Sequence, residues 1–125
     1  MSISTFNLDE ELKKIKQTAN PKKLGMILVH NGIVRATSKK ENKPVSSLNI
    51  SYNKEKLQQL IDKTYKENPG IEKIIVKIND GKLNVGDDIM FVIVAGDRRS
   101  NILKPFEDLI ETIKTKIVEE KETIA

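Results

Sequence analysis

Residues 81–100 read GKLNVGDDIMFVIVAGDRRS, and this stretch decides the fold. Asn79-Asp80-Gly81 is a turn signal and Gly86-Asp87 a second. Ile89 to Ala95 is the most hydrophobic run in the chain and reads as a central strand. Behind it, Arg98 and Arg99 stand at the mouth of a helix that Asp97 or Ser100 can cap. The apolar positions of that helix are Ile102, Leu103, Phe106, Leu109, Ile110, Ile113 and Ile117. Pro105 falls in its first turn or two, where a missing N–H does little harm.

Working outward, Leu8 to Thr18 reads as a short amphipathic helix behind a capping Asn7. Leu24 to Arg35 reads as a buried strand, with Gly32 marking a bulge or a close backbone approach. Residues 36–44 are polar and lysine-rich with a terminal proline, and read as a mobile loop. Val45 to Tyr52 alternates as a half-buried strand. Asn53 caps a helix over Lys54 to Asn68, striped by Leu57, Leu60, Ile61 and Tyr65. Ile71 to Ile78 is a further strand. The order α-β-β-α-β-β-α, without strict alternation, predicts one α+β domain.

Composition narrows the function. Twenty-two basic against 18 acidic residues leave a formal charge of only +4, and aromatics are 4% with no Trp. A nucleic-acid binder would carry a denser basic stripe and stacking platforms, so no nucleic acid is expected. The chain has no cysteine, which excludes disulfides, thiolate metal sites and a cysteine nucleophile. With one histidine, His30, and no suitably spaced acidic cluster, no metal site is expected. No apolar run approaches the roughly 20 residues that span a bilayer. The first ten residues lack the blocks of a signal peptide. The expectation is a cytoplasmic domain with no membrane association.

The basic residues suggest what it holds. A helix N-terminus favours anions, and Arg98 and Arg99 add bidentate donors suited to phosphate or carboxylate. The plainer reading of the pair is a solvated surface charge.

The stretch also carries a family resemblance. Its pattern Gly-x-Leu-x-x-Gly-Asp-x-Ile-x-Phe-Val-x-Val, followed by a turn, Arg99-Ser100 and a long helix, resembles the large subunit of molybdopterin synthase. Gly32-Ile33-Val34-Arg35 is similar to that family's Gly-x-Val-Arg strand end, and the likeness runs on to Lys114 and Lys121. The resemblance implies an α/β-hammerhead-like single domain over residues 1–125, with a mostly antiparallel sheet and three main helices. It implies a homodimer in which each protomer binds a ubiquitin-like sulfur-carrier small subunit ending in Gly-Gly. The carrier's thiocarboxylate would pass sulfur to cyclic pyranopterin monophosphate, making the dithiolene of molybdopterin, with no cofactor implied.

On that resemblance Lys114 and Lys121 are catalytic, and Arg35, Arg98 and Arg99 bind substrate. If the last helix continues, Lys114 and Lys121 share a face, and the apolar stripe at Ile113 and Ile117 partly desolvates Lys114. Sixteen residues of helix place Arg98 about 24 Å from Lys114, so one small anion reaches both only across two protomers. The sequence departs from the family at Arg98, where the family has histidine. It departs again at Val118-Glu119-Glu120, which replaces an aromatic and proline segment, and the family tail beyond Lys121 is not matched before Ala125. A non-catalytic paralogue that binds an anion or a ubiquitin-like partner is the alternative.

Overall fold

The apolar run at 89–95 is a central strand. In the computed structural model, which describes residues 6–38 and 42–125, β1 (Met26–Ile33) and β3 (Ile71–Ile78) flank β5 (Asp88–Gly96), both antiparallel to it. Val92, Ile93, Val94 and Ala95 are each 0% exposed, so the strand is covered on both faces. On one face lies α1 (Leu8–Thr18), which presents Ile15, Leu12 and Leu8 to Ile93 and Ala95. The other face meets α2 (Lys54–Glu67) and α3 (Arg99–Thr112), whose Leu57, Ile102 and Leu109 join Val92 and Val94 in the main core.

That core also takes in a second antiparallel sheet, ordered β4 (Gly81–Asn84), β2 (Val45–Tyr52), β6 (Val118–Ile124). Leu48 and Ile50 of β2, Leu83 of β4 and Val118 of β6 point into it. The expected α+β domain is therefore present, built on two three-stranded antiparallel sheets and three helices.

Two strands stand where the sequence reading had none. Residues 81–84, read as lying between turns, form β4 opposite Ser47–Ile50. The last helix does not continue through Lys121. It stops at Thr112, passes through a π-turn over Ile113–Ile117, and becomes β6 against the second edge of β2. The physical reason lies in β2: its central position leaves two rows of N–H and C=O groups to pair, and β4 covers only part of one.

The local signals hold well elsewhere. Asn7 and Asn53 accept from the N–H groups of Glu10 and Lys56 at 3.0 and 2.9 Å, as N-caps should. Gly32 marks a register shift in the β1–β5 ladder, the expected bulge. The cap of α3 differs: Arg98 holds the N-cap position without a side-chain bond. Asp97, one residue earlier, accepts from the Arg98 N–H at 2.7 Å and from Asn101 at 3.1 Å.

The loop read over 36–44 is closed at its base by a Thr37–Pro44 bridge and a bond from the Ser38 N–H to the Lys43 carbonyl at 2.7 Å. Ser38 is buried there, and residues 39–41 lie outside the described residues. Among the described residues, no helix is long and apolar enough to cross a membrane.

Gly96, at the end of β5, has no room for a side chain. A Cβ there would lie 2.6 Å from the Gly70 carbonyl oxygen and 2.7 Å from Ile102 Cγ1. Gly96→Ala should therefore destabilise the fold by about 1–3 kcal/mol through overpacking. Urea unfolding should show a lower midpoint at unchanged slope. An unchanged midpoint would mean that α3 shifts freely off the sheet.

Candidate functional site

Lys114 sits on the π-turn between two core anchors. Ile113 and Ile117 are 0% and 7% exposed, while Lys114, Thr115 and Lys116 face solvent. The widened turn is closed by the Val118 N–H on the Ile113 carbonyl, and π-turns of this kind recur at functional sites. The partial desolvation expected for Lys114 is absent: its flanking isoleucines point away into the core, and the lysine stays exposed.

Its electrostatic neighbour is His30 on β1. Strand alternation sends His30 to the same face as Met26 and Leu28, which pack against the main core. The imidazole is half-buried, and its Nε2 is shut from solvent without a hydrogen-bond partner. Burial holds its pKa below the ordinary 6.5, and the Lys114 ammonium lowers it further.

Arg35 stands two residues past the end of β1. The preceding Val34 is buried and doubly tied, by its N–H to the Asp87 carbonyl at 2.9 Å and by its carbonyl to the Gly86 N–H at 3.0 Å. Arg35 is thereby pinned at the backbone while its exposed guanidinium donates to Thr37 Oγ1 at 3.2 Å.

Lys121 is on β6, opposite Asn49 of β2, and exposed. It does not share a helix face with Lys114. About 10 Å of strand separates it from Val118, at 3.3 Å per residue. The two-residue period also splits the neighbouring carboxylates. Glu119 lies on the face of Lys121, whereas Glu120 falls on the face of Val118 and is less exposed.

Arg98 and Arg99 line a shallow depression of about 560 Å³ at the start of α3, with Ser100, Leu103, Lys104 and Glu107. Lys104 is paired with Asp108 at 2.8 Å. The 14 residues of α3 span about 21 Å, so both arginines lie at the far end of that helix from Lys114. One protomer thus brings together Arg98 and Arg99 and leaves Lys114 at the other end of α3. His30, which in the sequence counts only as the lone histidine too few for a metal site, is a half-buried strand residue. Its orphaned Nε2 depends on tertiary packing and has no local signal.

Comparison with known proteins gives the chain relatives. The model of the family described as "MoaE protein" matches residues 4–116. Molybdopterin synthase from Staphylococcus aureus is similar at 21% identity and TM-score 0.77, over 99% of this chain and 89% of that one. A molybdopterin cofactor biosynthesis protein E from Burkholderia multivorans is similar at 24% identity and TM-score 0.73, over 96% of this chain and 82% of its own. The complex of subunits 1 and 2 of molybdopterin-converting factor from Helicobacter pylori contains a chain at 23% identity and TM-score 0.71, over 95% and 80%. No curated protein matches the chain.

The buried imidazole makes stability depend on pH. In the unfolded chain His30 protonates near 6.5, whereas the folded pKa is lower. The unfolded state then binds more protons in that window, so stability present above 6.5 is lost as pH falls through the folded value. His30→Phe should flatten this slope while carboxylates are still ionised. Urea midpoints that track pH equally in both proteins would place the slope elsewhere.

Proposed function

The chain belongs to the MoaE protein family, and from that premise we propose that it is the catalytic subunit of molybdopterin synthase. In this reading a ubiquitin-like small subunit delivers sulfur as a C-terminal thiocarboxylate, and the acceptor is cyclic pyranopterin monophosphate. Lys114 acts at the sulfur transfer with Lys121, while Arg35, Arg98 and Arg99 hold the phosphate and pterin. The observation that carries it is Lys114 itself. An exposed lysine stands on a π-turn braced by two buried isoleucines, at the position that resembles the family's catalytic lysine.

The chemistry suits the residues. Thiocarboxylate and phosphate are both anions, and the five named side chains are cations. Guanidinium groups bind phosphate oxygens in pairs, which orients as well as attracts. A lysine is a compact charge that can neutralise a thiocarboxylate or exchange a proton. Because sulfur arrives on the partner, a chain without cysteine can still perform the transfer.

Assembly follows from the length of α3. With Arg98 and Arg99 at one end of α3 and Lys114 just past the other, about 21 Å of helix between them, a site that uses both ends draws them from two protomers of a symmetric dimer. The alternative, a binding module without chemistry, draws its support from Glu119, which shares the outer face of β6 with Lys121 and opposes anion binding there.

Lys114→Ala should abolish dithiolene formation from the precursor and the thiocarboxylated carrier. Stability should stay within about 0.5 kcal/mol, as for an exposed side chain. Arg35→Ala should mainly raise KM, by the loss of a charge-assisted bond worth roughly 1.5–3 kcal/mol. Wild-type protein that binds its carrier yet makes no product would leave the binding module standing.

Mixing inactive Arg99→Ala and Lys114→Ala proteins should restore activity, because each mixed dimer then holds one intact site. No recovery after subunit exchange, verified by mass spectrometry, would exclude the shared site.

A further inference from the structure

Arg98 and Arg99 are adjacent and exposed, and among the described residues neither guanidinium donates a hydrogen bond or closes an ion pair. Yet a carboxylate, Asp97, stands next to them in the chain. It is engaged elsewhere. Asp97 Oδ1 accepts from the Arg98 backbone N–H at 2.7 Å and from Asn101 Nδ2 at 3.1 Å. The Asn101 amide, ahead of the Arg98 N–H, holds this carboxyl below its ordinary 3.8, so it is ionised at neutral pH. Arg98 occupies the N-cap position with no acceptor of its own, and the Asp97 carboxylate takes over at the first turn of α3.

The starts of β1 and β3 and the end of β5 meet at Asp97. Its N–H donates to the Gly70 carbonyl at 3.0 Å, and the Gly25 N–H donates to the Gly96 carbonyl at 2.8 Å. A Cβ on Gly25 would collide with the Asp97 carbonyl oxygen, and one on Gly70 would lie 2.7 Å from Asp97 Oδ1. The first contact is with backbone and cannot yield. The second is with the tip of a side chain, so a methyl group at Gly70 would push the carboxylate aside.

We propose that Asp97 is a positioning residue for Arg98 and Arg99: lodged against Gly70, its carboxylate ties Arg98 and Asn101 into the first turn of α3 and leaves both guanidinium groups free for a substrate phosphate. Both arginines line the depression at the start of that helix. Guanidinium groups bind phosphate oxygens in pairs, and a frayed first turn would separate the two donors. The inference rests on the reading of Arg98 and Arg99 as substrate-binding residues, and it names what orients them.

Charge and position predict opposite signs. Inorganic phosphate, titrated against the Arg98, Arg99 and Ser100 amides by NMR, gives a Kd without carrier or precursor. As a bare negative charge Asp97 would repel phosphate, and Asp97→Ala would tighten binding. As a positioning residue it favours binding, so Asp97→Ala should weaken it roughly tenfold, about the worth of one hydrogen bond. Asp97→Asn keeps an acceptor oxygen and loses the repulsion, and should bind at least as tightly as wild type. Gly70→Ala, which displaces the carboxylate and removes no charge, should weaken binding as Asp97→Ala does. In an Arg98→Ala/Arg99→Ala protein, adding Asp97→Ala should cause no further loss. In the sulfur-transfer assay Asp97→Ala should raise KM by the same factor and leave kcat nearly unchanged.

Unchanged or tighter phosphate binding in folded Asp97→Ala would overturn the positioning role, as would wild-type amides that do not respond to phosphate. Should Asp97→Ala fail to fold, Gly70→Ala gives the same comparison with the same deciding outcome. Wild type that binds phosphate but makes no product would sink the proposed catalysis, while the Kd series still decides the role of Asp97.

Discussion

The structure depends on covering β5 from both sides. Four successive residues, Val92 to Ala95, have no exposure, and burying each large apolar side chain is worth about 1.5–3 kcal/mol. No single layer can supply that cover, because alternate side chains leave opposite faces of the sheet. So α1 must close one face, and α2 and α3 the other. Ile102, Leu109 and Ile113, at 0, 1 and 0% exposed, fix α3 and the following turn against Val92 and Val94. The ends of that element carry Arg98, Arg99 and Lys114, so the placement of three cations of the proposed site is inherited from the central strand.

The second constraint is the unpaired edge of β2. Ile113 and Ile117 keep helical spacing and both reach the core, which is why the sequence reads as uninterrupted helix. What ends the helix is the competition for backbone partners. The Ile117 carbonyl accepts from the Asn53 N–H at 3.2 Å, and Val118 turns to extended geometry at φ −100°, ψ 137° to enter the sheet. The widened turn reconciles the two demands, keeping both isoleucines inward while redirecting the chain.

This explains which parts of the molecule were legible. Helix starts at Asn7 and Asn53 and the bulge at Gly32 are local events with local signals, and the structure has them where the sequence put them. β4 is only four residues with one buried side chain, Leu83, too short for a pattern to form. β6 has the sequence VEEKETI, whose apolar alternation is almost absent. Its existence is decided by β2, some seventy residues earlier, as in the Asn49–Lys121 pairing. The candidate site divides in the same way. Arg35 at a strand end and Arg98-Arg99 at a helix start could be placed from neighbours in sequence. Lys121 could not, because its position belongs to a long-range pairing.

The distribution of charge carries the last step. Arg35, Arg98, Arg99, Lys114 and Lys121 are all exposed in the protomer, where water screens each at little cost. Gathering them is another matter. Two like charges 4 Å apart repel by about 4 kcal/mol at an effective dielectric constant of 20, so a crowd of cations has no reason to form by itself. Anions reverse the sign of that balance. On the proposed reading a phosphate and a thiocarboxylate enter together, and each supplies the countercharge that lets the other's cations close in. Site assembly and ligand binding then become one event, and a second protomer's arginines add attraction only once the anions are present.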